Sequence, residues 1–143
     1  MDKKSLIHEI KVIDGDIFRA ICNRYKRMNV DITPMHAKII MTIYKSREPL
    51  CQKDLEVSMS CNKSTMSSIV STMEKNGLLT RENSKHDSRI NYLILTEKGL
   101  DMVEFLKKDR KLMDSVMLDG ISDEECIVFS QIVDKIRKNL ERI

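Results

Sequence analysis

The sequence predicts a mainly α-helical fold interrupted by one small β-hairpin, and three observations predict it. The 143 residues include only four Gly and two Pro, too few for the many turns of an all-β design. Apolar side chains recur at steps of three and four over several long stretches, as in amphipathic helices. Between residues 78 and 95 that period gives way to two short runs joined by a polar link, as in a hairpin. With 41% apolar residues but no Trp, the chain can bury a core of Ile, Leu, Val and Met. Such a composition excludes disorder, and the length fits one domain, 1–143.

The first helix is expected over residues 6–28, with Leu6, Ile10, Ile13, Ile17, Ile21, Tyr25 and Met28 as its apolar stripe. At about 1.5 Å per residue it is about 35 Å long, more than one small core covers. Part of the stripe must therefore pack elsewhere. Thr33-Pro34 starts the second helix, Thr as the cap and Pro where its missing N–H costs nothing. That helix is expected to bury Ile39, Ile40, Ile43 and Tyr44 and to stop before Glu48-Pro49. A short helix over 52–57 follows, with Leu55 and Val57 inward, and then a turn over 58–61.

Asn62 caps the next helix, Lys63–Lys75, and Asn76-Gly77 ends it. Met66, Ile69, Val70 and Met73 form its core face. The opposite face carries Ser64, Ser67, Ser68, Ser71 and Lys75, with Lys63 and Thr65 beside it, and has no acid and nothing bulky near its start. Residues 78–82 and 90–95 then read as strands, with Ile90, Tyr92 and Ile94 on one side of the second. The link over 83–89 projects into solvent. A third long helix is expected from Thr96-Glu97-Lys98-Gly99 to about residue 118. Ser122-Asp123-Glu124-Glu125 is a capping box that opens the last helix, striped by Phe129, Ile132, Val133, Ile136, Leu140 and Ile143.

Helix, short helix, turn, helix with a small polar face, then a hairpin with a polar tip is the order of a winged helix-turn-helix, which sets its second helix in a DNA major groove and the hairpin tip beside it. Short side chains let that helix sit deep, hydroxyls meet phosphates or bases, and Lys63, Lys75, Lys85 and Arg89 supply charge. The net charge of +3 is by itself a weak footprint for a nucleic-acid binder. It averages +3 over 1–59, +2 over 60–99 and −2 over 100–143, so the attraction has to be local.

The remaining residues exclude other chemistries. The chain lacks any Ser-His-Asp order, Gly-rich phosphate loop or paired carboxylates, so it is not read as an enzyme and no cofactor is implied. Cys22, Cys51, Cys61 and Cys126 form no CxxC pair, and His8, His36 and His86 form no constellation, so no metal site is expected. No apolar run reaches the eighteen or so residues of a membrane span, and the N-terminus leads into an amphipathic stretch. The expected location is the cytoplasm, away from membranes, where thiols stay reduced.

Asp87-Ser88-Arg89, followed by Leu93-Ile94-Leu95-Thr96-Glu97-Lys98-Gly99, resembles the wing pattern D-x-R-x-x-x-L-x-L-T-x-x-G of the MarR-type transcription regulators. Residues 64–70 and 74–81 resemble that family's recognition helix and its exit into the hairpin. The resemblance covers almost the whole chain. It implies a winged helix-turn-helix over 33–99 with a two-stranded β-wing, and long dimerisation helices over 1–30 and 100–143. By the same resemblance Arg89 enters the minor groove, where a narrow A·T-rich stretch favours it, and Asp87 orients its guanidinium. Ser64, Thr65, Ser67, Ser68 and Ser71 face the major groove, and Lys63 and Lys75 face phosphates. The chain departs from many relatives in having no arginine on the recognition-helix face.

The implied function is a repressor that binds a pseudo-palindromic operator in double-stranded DNA as a homodimer and is released by a small aromatic effector. Two alternatives remain. One is a thiol-based redox-sensing regulator, with Cys22, flanked by Arg19, Arg24 and Lys26, as the redox candidate. The other is a winged helix used for protein contacts without DNA binding.

Overall fold

In a computed structural model that describes residues 2–143, the helix α1 spans Lys3–Arg27, α2 Pro34–Lys45, α3 Gln52–Ser58 and α4 Lys63–Lys75. The strands β1 (Leu79–Asn83) and β2 (Asn91–Leu95) follow, and then α5 (Glu97–Met117) and α6 (Asp123–Leu140). The result is a mainly α fold with one two-stranded antiparallel sheet, as the sequence predicts. Among the described residues no helix is long and apolar enough to cross a membrane. The chain forms two units, Met1–Leu106 and Lys107–Ile143.

The core of the first unit draws on α2 to α5 and both strands. Ile39, Ile40, Leu55, Met66, Val70, Met73 and Val103 are fully buried, and Leu78, Leu79 and Leu93 nearly so. Tyr25 brings α1 to this core, its ring centroid 6.4 Å from that of Phe105. Each such burial stabilises the fold by about 1.5–3 kcal/mol before side-chain entropy is counted. The unusual share of methionine suits such a core, in which Met66 and Met73 are fully buried, because flexible thioether side chains adapt to irregular surroundings.

Two side chains expected inside are outside. Val57 is 74% exposed, because two helical steps from the buried Leu55 carry it about 200° round a helix of seven residues. Tyr44 is 43% exposed on the last turn of α2, as suits an aromatic ring with a polar tip, which is often only partly buried. The second strand also begins one residue later than expected, at Asn91, and Ile90 belongs to the loop. A one-residue antiparallel bridge between Cys51 and Tyr92 sets a further segment of backbone against the sheet edge, with the Leu93 amide donating to the Leu50 carbonyl at 2.8 Å.

Side-chain caps hold four of the helices in place. Asn62 accepts from the Thr65 amide at 2.8 Å to start α4, and Gly77, at φ +76°, ends it in the left-handed conformation that favours glycine. At the head of α5 the Thr96 hydroxyl accepts from the Gly99 amide at 3.1 Å and donates to the Gly77 carbonyl. Gly99 itself lies against the Leu78 backbone, and a Cβ there would overlap the Leu78 carbonyl oxygen. This explains physically why the pattern T-x-x-G closes the hairpin: Thr caps, and only glycine lets α5 approach the backbone that enters β1. In the second unit Ser122 and Glu125 form the expected capping box, at 2.8 and 3.2 Å.

The cap of α2 has a partner that the sequence reading did not assign. The Thr33 hydroxyl accepts from the His36 amide at 3.2 Å, while the Thr33 amide donates to His36 Nδ1 at 3.3 Å. His36 is 9% exposed, and burial pushes its pKa below the ordinary 6.5 against the opposing pull of Asp31. Protonation would remove the acceptor nitrogen and place a cation at the positive end of a helix. A depressed histidine value means the unfolded chain takes up the proton first. The stabilisation is therefore complete above pH 6.5 and is lost as the pH falls through the folded-state value. Thermal melting between pH 8 and 5 should show this decline, and His36→Gln should flatten it; an equal slope in the variant would rule out the cap as its source.

Candidate nucleic-acid interface

The serine-rich face of α4 lies open. Lys63, Ser64, Thr65, Ser68, Ser71 and Lys75 are exposed, whereas Ser67 is half-buried. The face is open because Met66, Val70 and Met73 pull the opposite side of the helix into the core. The connection from α3 is tight: Ser60 adopts φ +49°, and the Cys61 amide donates to the Glu56 carbonyl at 3.0 Å. The Gln52 side chain reaches across to the Lys63 carbonyl at 3.5 Å. The two helices thus form one helix-turn-helix body, with α4 foremost.

The hairpin pairs Leu79 with Leu95, Arg81 with Leu93 and Asn83 with Asn91. Its tip is ordered by its own bonds. The Ser84 amide donates to the Ile90 carbonyl at 2.8 Å, and the Ile90 amide to the Asp87 carbonyl at 3.0 Å. Ser84, buried at 9% exposure, accepts from the His86 amide at 3.2 Å. Lys85 is exposed at this tip.

Asp87 and Arg89 are held together as a fork. The Asp87 carboxylate accepts from the Arg89 backbone amide at 3.0 Å, from Nε at 3.1 Å and from Nη2 at 3.1 Å. The hydrogen bonds from Arg89 hold the Asp87 carboxyl below the usual carboxylate range, and the same side-chain bond raises the guanidinium pKa. Arg89 is nevertheless 88% exposed, and three of its five N–H donors remain for another partner. A guanidinium with one edge fixed and the other offered to solvent is preorganised for an anionic or acceptor-lined surface.

Cys22, the redox candidate, is half-buried on α1, and Cys51, Cys61 and Cys126 are likewise half-buried free thiols. Among the described residues no group of three His, Cys, Asp or Glu side chains could hold a metal ion. A further residue at this edge, Arg81, is not among those the sequence pattern assigns to the site: its guanidinium lies 3.5 Å from Ser71 Oγ and 3.6 Å from Glu74 on α4. The alternation of β1 carries the signal, because Arg81 shares the face of buried Leu79 and must find a polar partner there.

Residues 32–90 match the MarR family. The match covers less than half of the chain. Members of that family are transcription regulators, not enzymes. The HTH-type transcriptional regulator YdgJ of Bacillus subtilis is 23% identical over 104 residues, 73% of this chain. The matched part spans 63% of YdgJ, less than two thirds of that relative's length. Among solved structures, the heme sensor protein PefR of Streptococcus agalactiae in complex with heme is 26% identical, with TM-score 0.70, over 97% of this chain and 95% of PefR. FabT of Streptococcus pneumoniae in complex with DNA has TM-score 0.82 at 21% identity and covers 99% of both chains. The FabT likeness shows the winged-helix fold of this chain.

Proposed function

We propose that this chain is a MarR-type DNA-binding transcription regulator, a repressor that reads a pseudo-palindromic operator as a homodimer. The observation that carries the reading is the Asp87–Arg89 fork, exposed at a wing tip beside the serine face of α4, which carries no acid near its start. In this reading residues 33–99 form the DNA-binding region, and 1–30 and 100–143 supply the dimer contacts. Ser64, Thr65, Ser67, Ser68 and Ser71 enter the major groove, Lys63, Lys75 and Lys85 meet phosphates, and Arg89 enters the minor groove. The DNA complex of FabT, on the same fold, supports this arrangement.

Release by a small ligand belongs to the same proposal. The first unit holds a cavity of about 410 Å³ lined by Val30, Ile32, Leu78, Met102 and Phe105, with Lys98 and Asp101 at hand. It is of a size and character for a compact aromatic molecule. The binding of heme by PefR supports a small-molecule effector in this fold.

The test is selection of bound fragments from randomised double-stranded DNA. The expected product is an inverted repeat with half-sites about 10–10.5 base pairs apart, centre to centre. Failure to enrich any fragment at low salt would favour the winged helix as a protein-contact module.

A further inference from the structure

Arg81 occupies the junction between the recognition helix and the wing. It shares the inward face of β1 with Leu79, opposite Leu93, and its side chain keeps 29% of its exposure. Nη2 lies 3.5 Å from Ser71 Oγ, and Nε lies 3.6 Å from Glu74 Oε1. Ser71 and Glu74 sit one turn apart in the second half of α4. Among the described residues this is the only side-chain hydrogen bond or ion pair from the hairpin strands to α4. Surface ties of this kind contribute little to stability, so its consequence is geometric.

We propose that Arg81 is a positioning residue for DNA reading, fixing the angle at which the wing, and with it Arg89, stands to the serine face of α4. The inference rests on the DNA-binding reading above. The strand advances about 3.3 Å per residue, so the tip lies on the order of 15 Å beyond Arg81. A swing of about 10° at that hinge moves the Arg89 guanidinium by roughly 2–3 Å, and displacements of that size cost a hydrogen-bonded contact most of its value. The tie also takes the place left by the missing helix-face arginine: the guanidinium at this edge braces the serine face instead of reading a base.

A double-mutant cycle on the selected operator tests this, with affinity and its salt dependence measured for wild type, Arg81→Ala, Arg89→Ala and the double variant. Arg81→Ala should weaken binding severalfold and lower the salt slope as Arg89→Ala does, yet add nothing in the Arg89→Ala background. Multiplying losses would overturn the inference, because Arg81 would then touch DNA itself; so would an unweakened Arg81→Ala or an unweakened Arg89→Ala. If Arg81→Ala does not fold, Glu74→Gln loosens the same tie while keeping the guanidinium, and should show a smaller loss that also vanishes without Arg89. A wild-type chain that binds no DNA overturns both this inference and the function it rests on, whereas operator binding with additive losses overturns this inference alone.

Discussion

Arg89→Ala is expected to weaken operator binding by roughly tenfold to a hundredfold, and to lower the slope of log affinity against log salt by about one unit. Both effects follow from the wing tip. The side chain is 88% exposed and takes no part in the core, so its removal should leave the melting temperature where it is. What is lost is a positive, oriented guanidinium. Arg89→Lys separates charge from orientation: it should restore the salt slope but little of the affinity, since an ammonium cannot hold the two-point geometry that Asp87 imposes. Asp87→Asn should fall between wild type and Arg89→Ala, because the charge stays but swings free. The fork also survives acid. Asp87 titrates below its ordinary 3.8, so the pairing is complete above that value and is lost only as the pH falls through the lower folded-state one. An operator affinity unchanged by Arg89→Ala, measured by anisotropy across a salt series, would remove the wing from the interface.

The parts of this interface that were legible beforehand are those written in local chemistry. Lys63–Lys75 could be bounded from the sequence because Asn62 accepts from the third amide of the helix and Gly77 supplies the left-handed turn. The serine face followed from the 3.6-residue period, as did the burial of Met66, Val70 and Met73. The Asp87–Arg89 pairing was implied by resemblance, and its two-point geometry is visible only in three dimensions. The elements that escaped depend on where the core ends or on distant partners. Val57 sits on a short helix whose period is too brief to define a face. The Cys51–Tyr92 bridge joins residues far apart in sequence through backbone groups alone, which no side-chain pattern announces. Arg81 could be placed on the inward face of its strand by alternation, but its meeting with Ser71 and Glu74 depends on how the hairpin leans on α4. His36 caps α2 through a ring nitrogen, a role more often taken at that position by Glu or Gln.

The weak global charge agrees with this picture. Lys63, Lys75, Lys85 and Arg89 are exposed, whereas the residues from 100 onward carry a net −2. Steering toward DNA depends on the sign of the facing surface within a Debye length or so, about 8 Å at physiological salt, and not on the sum over the molecule.

Loss of the dimer is the other large effect expected. The unit Lys107–Ile143 has no buried apolar side chain, and α6 buries none of its residues. Yet Ile127, Val128, Phe129, Ile132 and Leu140 stand 39–62% exposed on that helix, and Val116 is 66% exposed on α5. On α1, separately, Ile13 and Phe18 are each 54% exposed. Soluble monomers rarely leave contiguous apolar patches of more than a few hundred Å² in water, and a closed two-fold contact is the commonest way to cover them. Sedimentation should therefore give a dimer at micromolar concentration. Phe129→Asp combined with Ile132→Asp puts two carboxylates on adjacent turns of one face, and burying either in an apolar contact would cost far more than a rim charge. The double variant should sediment as a monomer and bind the full operator about 10²- to 10⁴-fold more weakly, because the second half-site is no longer held at high effective concentration. Val116→Asp, on a different helix, guards against a local unfolding of α6 and should shift the equilibrium in the same direction. A variant that stays dimeric, or one that becomes monomeric without losing affinity, would count against the paired reading of the operator. The same proteins on a fragment bearing one half-site should bind almost alike, since there the dimer has nothing further to reach.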